Sequence, residues 1–420
     1  MEPRRLRGAN PRYEGEAVRR HKPDYWLLII IALLLAIGLI VVYSISPGLS
    51  ASQQVSQSYF VTKQLFDVLL GVVIFGAASF VPVELWRQSA KPLAIVAVVG
   101  ALLVMIMPVD AVYQAHRWIR LGGFSFQVAE LIKLAVLVGV ADFLTRHWRE
   151  GRLADFNATL KPLLLLLLAI GVVVAKLQSD FGSAAVMIAM LMIMAYIAGI
   201  PLRKALGISA IIVALLALLI ISTPYRRQRL ATFLHPQSNC QTTGYQACQA
   251  LISVGSGGVL GLGLGYSVQA YGYTPEASND SIFAIMAEQF GFIGTVIIMV
   301  IYAAFIARLK KIAEHTADQF RRLLVIGVMT WLGTQMIINV GAMVGLLPLK
   351  GITLPLISQG GTSLIFLTAA LGIVFQISRY TSYSTVEPKS GSDGQNTNNH
   401  LDGGRLRRAH NPSLVARPRA

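Results

Sequence analysis

The chain is built from a succession of long apolar stretches that carry almost no charge. They run over residues 26–43, 65–80, 93–107, 131–144, 163–175, 184–200, 206–221, 292–306, 323–347 and 363–377. Several fall short of the roughly 20 residues that span about 30 Å of hydrocarbon at 1.5 Å per residue. Their Gly, Ser, Thr, Gln, Trp and Tyr flanks can complete the span. In hydrocarbon every backbone N–H and C=O needs an internal partner, so each stretch is read as a helix. The expectation is an all-α integral membrane protein of about ten transmembrane helices. Composition agrees: only 13% of the 420 residues are charged, against about 25% in a soluble domain. A soluble multi-domain enzyme is excluded.

The net charge of +16 invites a nucleic-acid reading, but the cations lie in short loops between apolar stretches, where juxtamembrane anchors lie. Counted over alternate loops, one side of the membrane holds 27 of the 36 Lys and Arg residues and the other holds 8, with Lys133 inside the fourth helix. By the positive-inside rule both termini are cytoplasmic. The first stretch follows basic residues as a signal peptide would. Its apolar run exceeds the about 7–15 residues of a signal peptide and no clear cleavage site follows, so it is expected to remain as a helix. The chain then divides into a basic cytoplasmic segment 1–24, a ten-helix membrane domain 25–379, and a tail 380–420 rich in Ser, Gly, Asn, Pro and Arg that reads as disordered. Between helices seven and eight lies the one long extracytoplasmic segment, 222–280. A loop of that length in a compact membrane protein is usually functional.

Ionisable residues at membrane depth are costly and are functional candidates by default. Glu130, Lys133, Asp180, Asp280 and Glu288 stand out. Glu130 and Lys133 share a helix face at i, i+3, either as a buried structural salt bridge or as the charged wall of a polar cavity. Lys176 and Asp180 have i, i+4 spacing, as a snorkelling Lys with a local partner would. Asp280, where the outer segment meets the eighth helix, is either an N-terminal cap or a catalytic or binding carboxylate. The run Gly261-Leu262-Gly263-Leu264-Gly265 lacks the strand–turn–helix setting of a dinucleotide site and the Lys-Ser/Thr of a P-loop. Its glycines are read as permitting close approach of a re-entrant segment to other helices. Cys240 and Cys248 lie in a disulfide-permissive loop and are either bridged or two thiols. Two cysteines are too few for a disulfide framework or a structural zinc site.

Four blocks, in order, resemble one family. They are Arg117-Trp118-Ile119-Arg120-Leu121-Gly122 with Gln127-Val128-Ala129-Glu130-Leu131-Ile132-Lys133; Gln178-Ser179-Asp180-Phe181-Gly182-Ser183; Arg226-Arg227 through Gly244-Tyr245-Gln246 and Gly255-Ser256-Gly257-Gly258 to Pro275-Glu276-Ala277-Ser278-Asn279-Asp280; and Gly345-Leu346-Leu347-Pro348 with Lys350-Gly351, Leu354-Pro355, Ser358, Gly360-Gly361 and Ser363. Spread over about 26–379, they resemble the shape, elongation, division and sporulation (SEDS) proteins, the RodA/FtsW peptidoglycan polymerases. Departures leave the charged positions intact: the usual Gln-Pro-Ser-Glu reads Gln127-Val128-Ala129-Glu130, the usual Gln-Pro-Asp-Leu-Gly-Thr reads Gln178-Ser179-Asp180-Phe181-Gly182-Ser183, the usual His-Thr-Asp-Phe reads Ser278-Asn279-Asp280-Ser281, and the usual Ser-Tyr-Gly-Gly reads Ser358-Gln359-Gly360-Gly361. The Cys pair is no feature of the family.

The resemblance implies ten helices with cytoplasmic termini and polymerisation of lipid II, the lipid-linked disaccharide-pentapeptide, at the outer face of the bacterial cytoplasmic membrane. It implies Asp280 as the essential acid, with Glu130, Lys133, Asp180, Arg227, Trp118 and Ser358 as cavity or substrate positions. A general base at Asp280 would deprotonate the acceptor hydroxyl, and Lys133, Arg227 or a divalent cation (Mg or Mn) would neutralise the departing diphosphate. The expected partner is a class B penicillin-binding protein, with other divisome or elongasome membrane proteins around it; no nucleic acid is involved. Pro275-Glu276-Ala277 leans towards the cell-division FtsW branch over elongation. The alternatives are a lipid II flippase and a non-catalytic division scaffold.

Overall fold

The computed structural model describes residues 22–107, 117–121, 124–201 and 244–381, together with 203, 204, 207, 233 and 240–242. The expected seventh helix at 206–221 apart from residue 207, most of the N-terminal segment and nearly all of the 380–420 tail lie outside the described residues. Within them the protein is an all-helical bundle. Helix α1 spans Tyr25–Gln53, α2 Tyr59–Phe80, α3 Val83–Gln88 and α4 Ala90–Ile106. A short antiparallel hairpin, β1 (Trp118–Leu121) and β2 (Phe124–Gln127), pairs Trp118 with Gln127 and leads into α5, Val128–Arg149. Helix α6, Lys161–Ile170, is flanked by π-helical turns at Phe156–Leu160 and Gly171–Leu177, and α7 spans Phe181–Ala198. Helix α8, Tyr245–Ser256, lies within the long segment 222–280; α9 spans Ile282–Glu314, α10 Gln319–Met343 and α11 Gly361–Ile377.

Among the described residues seven helical segments have the length and apolarity to cross a membrane: α1, α2, the composite Phe156–Leu177, α7, α9, α10 and the stretch Gly361–Tyr380. Helix α4 is apolar but shorter. The core is formed by Leu34 and Val41 of α1, Leu137 and Leu144 of α5, Met187 and Met190 of α7, Phe305 of α9, Trp331 of α10 and Leu371 of α11. Leu69, Val73, Ile95 and Leu102 point outward from α2 and α4 and are more than half exposed. This inside-and-outside apolarity suits lipid as the surrounding medium.

Two local features set the geometry of the end of the bundle that carries the segment 222–280. Helix α9 breaks at Gly291, whose φ is +65°. The glycine-rich run takes over the backbone groups this frees: Leu262 and Gly263 N–H donate to the Glu288 and Gln289 carbonyls at 2.9 and 3.0 Å, and Phe292 and Ile293 N–H donate to Gly258 and Val259 at 2.9 and 3.1 Å. The chains meet so closely that a Cβ on Gly261 would lie 2.2 Å from the Gln289 carbonyl oxygen. Pairing every backbone group at a helix break is what a low-dielectric setting demands. Buried Glu288 then pins the next stretch of the segment, accepting from Val268 N–H at 3.1 Å, Gln269 N–H at 3.4 Å and the Ser267 hydroxyl. Its place in the molecule is that of an anchor.

Candidate active site

Asp280 stands one residue before the cap of α9. The cap is Ser281, which makes no side-chain capping bond, so the carboxylate of Asp280 is not spent on the helix end. It is part-buried in a shallow cleft walled by Asn339, Ala342 and Met343 of α10 and by Lys350, Gly351 and Ile352. Its backbone is fixed from α10, because Asn339 Nδ2 donates at 2.7 Å to the Asp280 carbonyl and at 2.7 Å to the Ile352 carbonyl. Its carboxylate faces Gln246 of α8, whose Nε2 lies 3.4 Å from both oxygens. Burial, and after it the Glu276 carboxylate, raise the Asp280 carboxyl from 3.8 to about 7, against the smaller opposing pull of Gln246. A carboxyl group poised near neutrality is the property a general base at working pH requires.

Lys350 lines the same crevice, and its ammonium lies 5.1 Å from the centroid of the Phe181 ring. Helix α7 reaches this wall because residue 182 is glycine: a Cβ there would stand 2.4 Å from Ile352 Cγ1 and 3.3 Å from the Lys350 carbonyl. Lys350 belonged to a quoted block but had no assigned role. No local pattern signals it, since its place depends on a loop folding back against Asp280.

Asp180 caps α7, accepting from Ser183 N–H at 2.9 Å through Oδ1 and from Gln127 Nε2 at 3.1 Å through Oδ2. The i, i+4 pairing with Lys176 does not form: Ser179 has φ +55° and ends the preceding helical turn, so the two residues are not on one continuous helix. Arg117 closes the same corner by donating to the Gln178 carbonyl at 3.0 Å and to the Ser179 carbonyl. The first two blocks of the sequence resemblance are thus joined side by side. Trp118, on β1, is exposed.

Glu130 and Lys133 form a buried ion pair at 2.7 Å, 3% and 1% exposed. Lys133 also lies 5.4 Å over the Trp331 ring. Trp331 Nε1 donates to Gln335 at 2.8 Å, and Gln335 donates to the Thr353 carbonyl at 3.1 Å. A polar line therefore runs through the core from α5 to the loop after α10. Ser358 belongs to that loop, where its Oγ accepts from Leu354 N–H at 2.7 Å. Arg227 lies outside the described residues. Cys240 and Cys248 are joined by a disulfide, with Cα atoms 5.5 Å apart. Two acids missed by the sequence reading also lie inside helices: Asp142, paired with Arg87 at 2.8 Å and with Arg146, and Asp67, against the start of α11 at Gly361.

Residues 25–383 match the family described as cell cycle protein, FtsW/RodA/SpoVE. A probable peptidoglycan glycosyltransferase FtsW of Coxiella burnetii is 36% identical over 362 residues, covering 85% of this chain and 96% of that one. Stage V sporulation protein E of Bacillus subtilis is 34% identical over 367 residues, covering 87% and 99%. Among solved structures, the crystal structure of the Thermus thermophilus rod shape determining protein RodA aligns with a TM-score of 0.62 at 27% identity, over 86% of this chain and 98% of that one. A chain from a peptidoglycan synthase complex, solved to describe how polymerization and crosslinking are coordinated, aligns with a TM-score of 0.67 at 25% identity over 85% and 98%. With a matching family model, relatives above 30% identity along nearly their whole length and the helical bundle in common, the chain belongs to the FtsW/RodA/SpoVE family of multi-pass membrane proteins.

Proposed function

We propose that this protein is a peptidoglycan glycosyltransferase that polymerises lipid II at the outer face of the cytoplasmic membrane, in septal wall synthesis, with Asp280 as general base. The relatives named FtsW support the activity and the division branch. The observation that carries the assignment is the Asp280 carboxyl, raised to about 7 in a crevice that Lys350 also lines.

The chemistry follows from these two groups. Asp280 accepts the proton of the acceptor's N-acetylglucosamine 4-hydroxyl as that oxygen attacks the anomeric carbon of the donor's N-acetylmuramic acid. The new C–O bond forms as the bond to diphosphate breaks, and the electron pair leaves on the diphosphate. Attack from the opposite face inverts the α-linked donor to a β-1,4 product. Lys350 supplies positive charge to the developing anion. Lys133 is spent on Glu130 in the core and is not needed for this step. A class B penicillin-binding protein would crosslink the strands as they emerge, a reading supported by the likeness to a peptidoglycan synthase complex.

The test is polymerisation of labelled lipid II by the protein purified with its cognate class B penicillin-binding protein. Products are resolved on a gel, with moenomycin present to silence contaminating polymerases. Loss of a general base lowers the rate by roughly 10²–10⁴-fold, so Asp280→Ala should abolish the moenomycin-resistant polymer. Polymer surviving the substitution would keep the enzyme and remove the base. A folded wild-type complex that makes no polymer would return the weight to a flippase or a scaffold.

A further inference from the structure

A second polar cavity lies at the opposite ends of α2 and α11 from the Asp280 cleft. The start of α2 adjoins the loop before α11, where Gln359 Nε2 donates to the Phe60 carbonyl at 2.9 Å. Its far end, at Phe80, is about 30 Å away along the helix. There α2, α3, α10 and the end of α11 enclose about 180 Å³. The wall is formed by Phe80, Glu84, Arg321, Gln376, Arg379 and Tyr380.

The cavity has unmet polar demands of both signs. Arg379 Nε is a buried donor without a partner, and Gln376 Oε1 is a buried acceptor without one, on a side chain only 7% exposed. Buried polar atoms are normally hydrogen-bonded, and both of these belong to residues that line the one cavity. The guanidinium of Arg379 lies 5.7 Å from the Phe80 ring centroid and 5.5 Å from that of Phe375, and among the described residues no carboxylate lies within ion-pair reach of it. Arg321 rests 4.9 Å over Tyr380 and donates to Glu84 at 2.6 Å. Two guanidinium groups and one carboxylate leave the cavity with one net positive charge. Phe80, 75% exposed, forms an apolar rim where an acyl chain could leave.

We propose that this cavity binds a phosphate group of net charge −1 that also carries hydroxyl donors, the chemistry of a glycerol phosphodiester headgroup. The phosphate oxygens accept from Arg379 Nε and meet the Arg321 charge, while a glycerol hydroxyl donates to Gln376 Oε1. The planar Arg379 fork, beside the Phe80 and Phe375 rings, suits phosphate as a lysine would not. An occupant here would bridge α2, α3, α10 and α11 at the end of the bundle away from the chemistry.

The test uses the full chain in detergent with a short-chain phosphatidylglycerol, followed by native mass spectrometry and thermal shift. Phosphatidylcholine of the same chain length and inorganic phosphate serve as the other probes. Phosphatidylglycerol should bind and raise the melting temperature, phosphatidylcholine should not, and Arg379→Lys and Gln376→Leu should each weaken binding about tenfold. Arg379→Lys keeps the charge, so its loss reads the fork geometry and not merely electrostatic attraction. If inorganic phosphate protects as well as the lipid does, the occupant is a free phosphate recognised by the same atoms. Equal binding of phosphatidylcholine, or undiminished phosphatidylglycerol binding by both folded variants, would overturn the site.

Discussion

Asn339 holds Asp280 by its main chain: the side-chain amide of Asn339 donates to the Asp280 carbonyl and, at the same 2.7 Å, to the carbonyl of Ile352 two residues after Lys350. One amide on α10 thus sets the spacing between the proposed base and the loop that carries the cation. Replacing it strands two carbonyls in a buried setting and frees both walls of the cleft. Asn339→Leu should cost roughly 1–3 kcal/mol of stability. Polymerisation should fall by about 10²-fold through misplacement of the carboxylate. Lipid II turnover measured beside thermal unfolding checks both; unchanged turnover would mean the clamp does not position the base.

The Asp280 carboxyl, at about 7 against an ordinary 3.8, makes activity pH-dependent with a definite sign. A base works only when deprotonated, so turnover should fall as pH drops, with its midpoint near pH 7. Glu276 raises this value and Gln246 lowers it. Glu276→Gln should therefore move the acid limb to lower pH, and Gln246→Leu should move it higher. The same shift has a cost in stability. Because the folded state holds the proton more tightly than the unfolded chain, folding stability falls as pH rises from about 4 through 7. Asp280→Asn should be inactive yet melt higher than wild type at pH 8, with the gap closing at pH 4. Profiles that fail to move in opposite directions for Glu276 and Gln246 would remove Asp280 as the titrating group.

The helices were legible because apolar runs need no tertiary information to be seen. Stretch 163–175 lies inside the helical segment Phe156–Leu177, and 131–144 lies inside α5, whose Glu130 and Arg146–Arg149 ends carry the charges that truncated the apolar run. Asp67 and Asp142 escaped notice for the opposite reason: a single acid barely lowers the apolarity of a long stretch. Asp280 stood out by its position at a loop–helix boundary, where it read equally as a cap, and by the family resemblance. Lys350 and Asn339 were not, because their relation to Asp280 depends on Gly182 admitting Ile352 against α7 and on α10 crossing behind the cleft. The pairing of Asp180 failed where a single residue, Ser179, took a left-handed conformation that spacing alone does not reveal.

The Glu130–Lys133 pair is closed on itself and buried, with Glu130 Oε2 left without a partner. Removing one member leaves an uncompensated charge in the core, which costs about 3–5 kcal/mol, whereas replacing both is far less costly. Glu130→Gln and Lys133→Met should each lower the melting temperature sharply, and the double variant should recover most of the loss. If the double variant is stable but makes no polymer, the pair has a role in the reaction beyond support.

Lys350 lines the crevice that holds Asp280 and is assigned to the departing diphosphate, so its effect should fall on the chemical step. Lys350→Met should lower kcat by roughly 10²–10³-fold. The acid limb set by Asp280 should keep its slope. Lys350→Arg, which retains charge but not the point-like ammonium, should restore part of the rate. A rise in KM with kcat unchanged would instead make Lys350 a ground-state binding group.

Cys248 lies in α8 two residues beyond Gln246, the side chain that faces the Asp280 carboxylate, and its disulfide to Cys240 ties the start of that helix to the preceding segment. The bridge therefore bears on the base at one remove. In intact cells both thiols should resist maleimide until the protein is unfolded and reduced, as the proposed outward orientation of this segment requires. Labelling before reduction would leave the bridge unformed there. Breaking it with Cys240→Ser should loosen α8, weaken the Gln246 contact and move the acid limb of polymerisation upward, in the direction of Gln246→Leu. Adding Gln246→Leu to Cys240→Ser should then move the limb little further, because both changes act through the same amide.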